Sequence, residues 1–500
     1  MKAAVTILDA IADQNLFASW FRDKVTWAAW RAFLAALFAL RMSNEQLAIY
    51  HQCTGRTAPL SSPATEGWLI CGRRAGKSFV LALIAVFLAC FRDWRPHLGP
   101  GERATVVVIA ADRKQARVCM RYCQGLLHSV PMLAAIIESE RAETINLKNR
   151  VTIEIHTASF RTVRGYTIVA ALCDEIAFWP TDDAAEPDYA VLDALRPAMA
   201  TVPGAMLLCA SSPYARRGAL WDAFRRWWGK DDASALIWHA PTHQMNPTVP
   251  QRIIDEAIER DPASAAAEWM AEFRSDVESF IAREVIEAAV IPNRYELPRA
   301  EAHSYVGFVD PSGGSADAMT LSIAHREGDR GVLDAIREVR PPFSPDAVAE
   351  EFARTLKSYR LHRVTGDRYA GEWPRERFRA HGITYEPSEK TKSQLYGELL
   401  PLLNSGRVEL LDHPRLTAQL CGLERRTARG GRDSIDHPPG AHDDIANAVA
   451  GALVAAAGQL SKAAQWARFG RSTSPDLTSS QSLPMSAIVH AQMRSRGGWM

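Results

Sequence analysis

Trp68-Leu69-Ile70-Cys71-Gly72-Arg73-Arg74-Ala75-Gly76-Lys77-Ser78-Phe79-Val80-Leu81 is the stretch on which the reading of this chain turns. A short apolar run, a basic turn with two glycines, Lys-Ser, and a second apolar run to residue 91 predict strand, loop and helix in succession. In that setting residues 71–78 read as a phosphate-binding loop that takes ATP. Backbone N–H groups of the loop and of the helix N-terminus face the phosphates, with Gly72 and Gly76 part of the cradle. Lys77 reaches the β and γ phosphates and Ser78 ligates Mg2+. Cys71 stands where such loops usually begin with glycine. Arg73 and Arg74 are each candidates to stabilise transition-state charge from within the loop, and Arg164 is a third.

Working outward, short apolar strands at 105–110, 151–156, 168–173 and 205–210 alternate with helical stretches at 78–92 and 113–130. This rhythm predicts an α/β fold with a parallel sheet and helices on both faces. The strand at 168–173 runs into Asp174-Glu175, an acidic pair at the edge where ligands bind in such sheets. Asp174 is read as the magnesium carboxylate and Glu175 as the base that orients and deprotonates the attacking water. The strand at 205–210 ends in Ser211-Ser212-Pro213, where a polar group can sense the γ-phosphate. Upstream, residues 16–56 are helical and aromatic-rich, with one helix expected over 24–41.

Beyond a polar helical stretch at 250–274 and a linker at 292–298, a second sheet opens. Strands at 304–309, 320–325 and 331–339 are joined by Gly- and Asp-rich turns and read as antiparallel. A helix at 344–359, a strand at 363–366 and an apolar helix at 443–457 follow. Asp310 ends the first of these strands, Asp367 follows the last, and Asp443-Asp444 opens the final helix. Carboxylates in that order converge on one place, and they repel unless cations bind. Oxygen ligands suit Mg2+ or Mn2+, and two such ions cleave phosphodiesters. The ordered set is that of a ribonuclease-H-like nuclease.

Composition sets outer limits. Five hundred residues exceed one core, and the expected division is a helical segment at 1–60, a P-loop ATPase domain at 61–290, a nuclease domain at 300–458 and a flexible basic tail at 460–500. The formal net charge of +1 gives no bulk signal for nucleic acid. Eight scattered cysteines lack CxxC or zinc spacing, as expected of reduced intracellular thiols. No apolar run reaches the ~20 residues that span a bilayer, and no secretory leader is read at the N-terminus, so the expected location is the cytoplasm.

The order of these motifs resembles the large terminase subunit of tailed bacteriophages or prophages. It runs Gly72-Arg73-Arg74-Ala75-Gly76-Lys77-Ser78, Leu172-Cys173-Asp174-Glu175, Cys209-Ala210-Ser211-Ser212-Pro213, Val309-Asp310-Pro311, Thr365-Gly366-Asp367-Arg368 and Ala441-His442-Asp443-Asp444-Ile445. The resemblance covers residues 40–455. It implies a motor that hydrolyses ATP to move double-stranded DNA into a procapsid and a metal-dependent endonuclease that cuts concatemers, acting in the host cytoplasm. The implied partners are double-stranded DNA, the portal protein, the small terminase subunit and further copies in a ring, without a membrane. The implied roles are phosphate binding for Lys77, Mg2+ for Ser78 and Asp174, catalysis for Glu175, coupling for Ser211 or Ser212, and a nuclease triad of Asp310, Asp367 and Asp443, with Asp444 as the other third ligand. Gln46 and Gln52 are the candidates for the adenine contact. The alternative is an ATP-dependent translocase or helicase whose second domain grips DNA without cutting. Arg425, Arg426, Arg429 and Arg432 form a basic stretch that suits a DNA backbone.

Overall fold

A computed structural model describes residues 5–158, 165–179, 187–315, 317–367, 372–427, 433–438 and 441–469. Arg164, Arg368, Arg429 and Arg432 lie outside the described residues, as does the tail from 470. Among the described residues the first eight strands are β1 (Glu66–Cys71), β2 (Ala104–Ala110), β3 (Ile137–Glu140), β4 (Thr144–Leu147), β5 (Val151–Thr157), β6 (Thr167–Asp174), β7 (Met206–Ser211) and β8 (Ala235–Ala240). They make one sheet in the order β3-β4-β5-β2-β6-β7-β1-β8. Six of them run parallel, from β5 to β8, and the β3–β4 hairpin extends the β5 edge antiparallel. Every residue of β2 and β7 is buried, the continuous apolar pattern of a sheet covered on both faces.

The order carries a functional consequence. β7 lies between β1, which leads into the loop, and β6, which ends in the acidic pair. The C-terminal ends of three adjacent parallel strands therefore share one edge. The helix Lys77–Phe91 is apolar on nearly all sides because it is enclosed between the sheet and other helices. The single helix expected over 24–41 is shorter, Ala28–Leu37, and is followed by Asn44–Thr54, which is N-capped by Ser43 and closed by Gly55 in the left-handed region. Trp30, Phe33, Tyr50 and their neighbours join the same core as the sheet, so residues 1–60 are not a separate body.

The next strand, β9 (Val277–Ser279), pairs antiparallel with β16 (Glu424–Thr427), which pairs with β17 (Asp433–Asp436). Between them in sequence come β10 (Tyr305–Asp310), β11 (Met319–Glu327), β12 (Arg330–Val339), β13 (Arg363–Gly366), β14 (Thr384–Pro387) and β15 (Val408–Glu409). These make the second main sheet, β14-β13-β10-β11-β12-β15. β10, β11 and β12 are antiparallel neighbours as expected, while β13 runs parallel to β10 and puts Gly366 beside Val309. Phe280, Ile281, Ile286 and Ala289 pack into the core of this second half. The expected boundary at 290 thus moves upstream, because β9 and the apolar residues after it bury against the later strands.

The last helix, Asp444–Phe469, continues past the expected end at 457 and takes in part of the segment expected to be a flexible tail. It lies across β10, β11 and β12. At Gly451 on this helix an added Cβ would stand 2.2 Å from the Phe308 ring. Only hydrogen fits there, so this glycine sets how near the helix start comes to the end of β10.

Candidate active sites

The loop after β1 is shaped by residues far away in sequence. Arg74 adopts φ 61° and Gly76 φ 103°, the left-handed turns that wrap the chain before the helix begins at Lys77. Trp30 donates its indole N–H to the Ala75 carbonyl (3.0 Å). Thr242 Oγ1 donates to the Arg73 carbonyl (2.8 Å) and Asn246 Nδ2 to the Arg74 carbonyl (2.7 Å). At Gly72 an added Cβ would fall 2.2 Å from Thr242 Oγ1 and 2.8 Å from the Glu268 and Trp269 carbonyls. The clamp from residues 242–269 therefore requires glycine at 72.

Lys77 is 5 % exposed. Its ammonium donates to the Cys71 and Gly72 carbonyls (3.0 and 3.2 Å) and to Ser212 Oγ (3.0 Å), and lies 3.3 Å from Glu175. Glu175 sits at φ 50°, a left-handed residue that swings its side chain back over the sheet edge. Its Oε2 accepts from Ser211 Oγ (3.1 Å) and from the Ser212 backbone N–H (3.0 Å). Both serines thus contact one side of the acidic pair or the lysine. Ser78 Oγ donates to Asp174 Oδ2 (2.7 Å), while Asp174 Oδ1 is buried without a hydrogen-bond partner. Burial and the neighbouring Glu175 charge push the Asp174 carboxyl up to about 6, against the pull of Ser78 and Lys77. An excess of buried negative charge beside a serine hydroxyl is a donor set that fits a hydrated Mg2+. A cavity of about 500 Å3 opens beside Glu175, Ser212, Arg73 and Arg274.

The two loop arginines are both exposed, and Arg73 is ion-paired with Glu268 (3.0 Å). Arg274 lines the cavity and is held by Asp276 (2.7 Å), a third arginine that no motif signals. Gln46 spends its amide on the capping box of its own helix, accepting from Ser43 N–H. Gln52 Oε1 accepts from Gln244, in the short helix that also clamps the loop.

In the second half, Asp310 and Asp367 lie at the ends of neighbouring parallel strands. Asp367 N–H donates to the Val309 carbonyl (3.2 Å), and Tyr385 OH donates to the Asp367 carbonyl (2.8 Å) across Gly366. The helix Asp444–Phe469 brings Asn447 between them: Nδ2 donates to Asp310 Oδ2 (2.8 Å) and to Asp367 Oδ2 (3.4 Å). Asp310 is pushed well up by burial and by the charges of Asp444, Asp443 and Asp367, against the Asn447 hydrogen bond. Asp444 rises to about 6 through burial and the charges of Asp443 and Asp317. The residues therefore fit divalent cations, since positive charge is what this cluster lacks.

Asp443 and Asp444 point into different surroundings. Asp443 accepts from Tyr396 OH (2.8 Å) and is ion-paired with Lys392 (3.0 Å). Asp444 accepts from the Ala318 N–H (3.3 Å), on the loop that leaves Asp310. Lys392 also bonds Asp436 (2.7 Å). Asp436, His437 and Asp443 bring their ligand atoms within 4.8 Å of one another, but this ammonium already stands among them. Asn447, Lys392, Tyr396 and Asp436 carried no motif. Asn447 was findable only as the residue one helical turn from the acidic pair. Arg425 and Arg426 do not form an open basic stripe, because Arg426 turns inward onto Glu424 (3.1 Å).

Residues 69–186 match the family model described as "Terminase large subunit, T4likevirus-type, N-terminal". No curated protein sequence matches the chain. Among solved structures, the large terminase of bacteriophage HK97 is 16% identical with a TM-score of 0.37, covering 85% of this chain and 94% of that one. The large terminase of a thermophilic bacteriophage, solved in complex with ADP, is 12% identical with a TM-score of 0.36, covering 79% and 95%. The large terminase nuclease of the thermophilic phage G20c with bound magnesium is 18% identical with a TM-score of 0.31, covering 35% and 96%. Among the described residues no helix is long and apolar enough to cross a membrane. The family match spans the phosphate loop and the acidic strand whose geometry is given above, so this stretch of the chain is similar to the N-terminal part of large terminase subunits.

Proposed function

We propose that the chain is the motor and nuclease of a viral DNA-packaging machine. It hydrolyses ATP to drive double-stranded DNA into a procapsid and cuts concatemers at a second, two-metal site. The observation that carries this reading is the shared sheet edge where Lys77, Glu175 and Ser212 meet beside Ser78 and Asp174. Lys77 binds the phosphates, with Ser78 and Asp174 holding the Mg2+ that offsets phosphate charge. Glu175, steadied by Ser211 Oγ and the Ser212 amide, takes the proton of the attacking water. Because Ser212 touches both Lys77 and Glu175, loss of the γ-phosphate is felt along β7, which supports coupling there.

At the second site Asp310, Asp367 and Asp444, with Asp443 behind them, would hold the divalent ions that lower the barrier to phosphodiester cleavage. The proposed partners are the portal, the small subunit and further copies in a ring, in the host cytoplasm. The test crosses two substitutions. Lys77→Ala should abolish ATP turnover and leave Mn2+-dependent plasmid cutting intact, and Asp367→Ala should do the reverse. Equal cutting by wild type and Asp367→Ala overturns the nuclease assignment and leaves the DNA-gripping translocase. Undiminished ATPase activity in Lys77→Ala overturns the motor.

A further inference from the structure

Asn447 is 1 % exposed, and its amide nitrogen stands between the carboxylates of two adjacent strands. The amide faces both carboxylates with its nitrogen, and its Oδ1 points away from them. That Oδ1 is buried and has no hydrogen-bond partner. A buried acceptor left unmatched is costly and marks a place where a donor belongs. No feature of the fold requires a polar side chain here. Ile445, Ala446, Ala448 and Val449 on the same helix are wholly buried apolar residues, and Asn447 interrupts them only where the helix meets Asp310 and Asp367.

Resting on the two-metal reading of this site, we propose that Asn447 is a positioning residue of the nuclease centre. Its Nδ2 bridges Asp310 and Asp367, offsetting their mutual repulsion so that they are already gathered when a divalent cation arrives. Its Oδ1 is reserved for the hydration shell of that cation. Two carboxylates on parallel neighbours would otherwise splay, and gathering them afresh would weaken binding. Asp443 has Lys392 and Tyr396 for this purpose; Asp310 has Asn447.

The experiment is Mn2+ titration by calorimetry, together with thermal unfolding with and without Mn2+. It uses the full chain carrying Asp174→Asn, so that the ATPase metal is silent. Asn447→Leu removes both bridge and acceptor: the metal-free Tm should fall by about 2–6 °C, and Mn2+ should bind about 10-fold more weakly. Asn447→Asp replaces the donor with a further carboxylate: the metal-free Tm should fall further, Mn2+ should bind more tightly, and saturating Mn2+ should recover most of the lost Tm. Should Asn447→Leu fail to fold, Asn447→Ser takes its place. A packing role alone lowers both melting temperatures without driving the two affinities in opposite directions, and that result overturns the proposal. If the parent binds Mn2+ and Asp367→Asn abolishes binding while both Asn447 variants bind as the parent does, only this inference fails. If the parent binds no Mn2+, the two-metal reading fails and takes the inference with it.

Discussion

At the scale of single residues the proposed ATP site is organised around what Glu175 can reach. Its carboxylate is fixed by three groups, Ser211 Oγ, the Ser212 amide and the Lys77 ammonium, and its backbone is held in the left-handed region. Glu175→Gln keeps the shape and loses the proposed base. ATP should still bind, with turnover falling at least ~100-fold; a nucleotide-binding titration beside a phosphate-release assay separates the two. Unchanged turnover would remove Glu175 from the role of base. These residues were legible because chemistry constrains them locally: Lys-Ser after a glycine turn, and Asp-Glu after an apolar strand. Trp30, Thr242 and Asn246 were not legible, since each acts by one hydrogen bond to a loop carbonyl from a distant part of the chain. No spacing rule connects an indole at 30 to a carbonyl at 75. Asp443 and Asp444 show the other limit, because adjacent residues at a helix start point in different directions and only packing reveals which meets Lys392 and which meets the Asp310 loop.

At the scale of elements, two contacts can be tested. The last helix seats on β10 through Gly451 and Phe308. Gly451→Ala puts a methyl group into a ring that is itself buried, and overpacking of this kind costs about 1–3 kcal/mol. The helix should lift from the sheet at its start, so metal affinity at the proposed nuclease site should fall with stability; a melt and a Mn2+ titration read both. If stability falls and affinity does not, the helix start is anchored independently of Gly451. The second contact is on β8, where His239 Nε2 meets the Ala271 carbonyl (2.6 Å), just after the helix whose Glu268 and Trp269 carbonyls crowd Gly72. Burial pulls the His239 imidazole below its ordinary value. Its folded form resists protonation, so its contribution is present above the unfolded value of about 6.5 and is lost as pH falls toward the lower folded value. Stability should therefore drop on acidification below about pH 6.5, and His239→Gln should flatten part of that slope. An identical slope in the variant would assign it to other groups such as His156 and His413, which burial also depresses. Strand order was legible from the rhythm of the sequence only as a parallel sheet. That β7 would fall between β1 and β6 follows from packing, and it is this interposition that brings the serines to Glu175.

At the scale of the whole molecule, one buried acid on the three-stranded sheet meets the turn that follows β7. Glu424 has no exposed surface, and its carboxylate accepts from Tyr214 OH (2.7 Å), from Arg426 (3.1 Å) and from Arg217. Tyr214 directly follows the Ser211-Ser212-Pro213 turn of the ATP site, and Glu424 opens β16, whose partner β17 ends at Asp436 beside Lys392. Nothing in the sequence marks Glu424 as special: it directly precedes the basic stretch that opens at Arg425, and only the fold takes it out of water. Removing one partner of a buried, fully paired set of charges costs about 3–5 kcal/mol. Arg217 keeps 29% of its side-chain surface, so some of that cost is relieved by solvent and about 2–4 kcal/mol is expected for Glu424→Gln. The loss should fall on the junction rather than on either core, because the cluster at 280–289 and the core around β1 have their own apolar support. Calorimetry should then resolve one unfolding transition into two, with the half built on the first sheet melting apart from the half built on the second. Tyr214→Phe, which removes one donor and leaves the charges paired, should give the same split at smaller amplitude, about 1–2 kcal/mol. A single transition at the wild-type temperature in Glu424→Gln would mean that the halves are held by apolar contact alone, and that the acid is a passenger at their boundary.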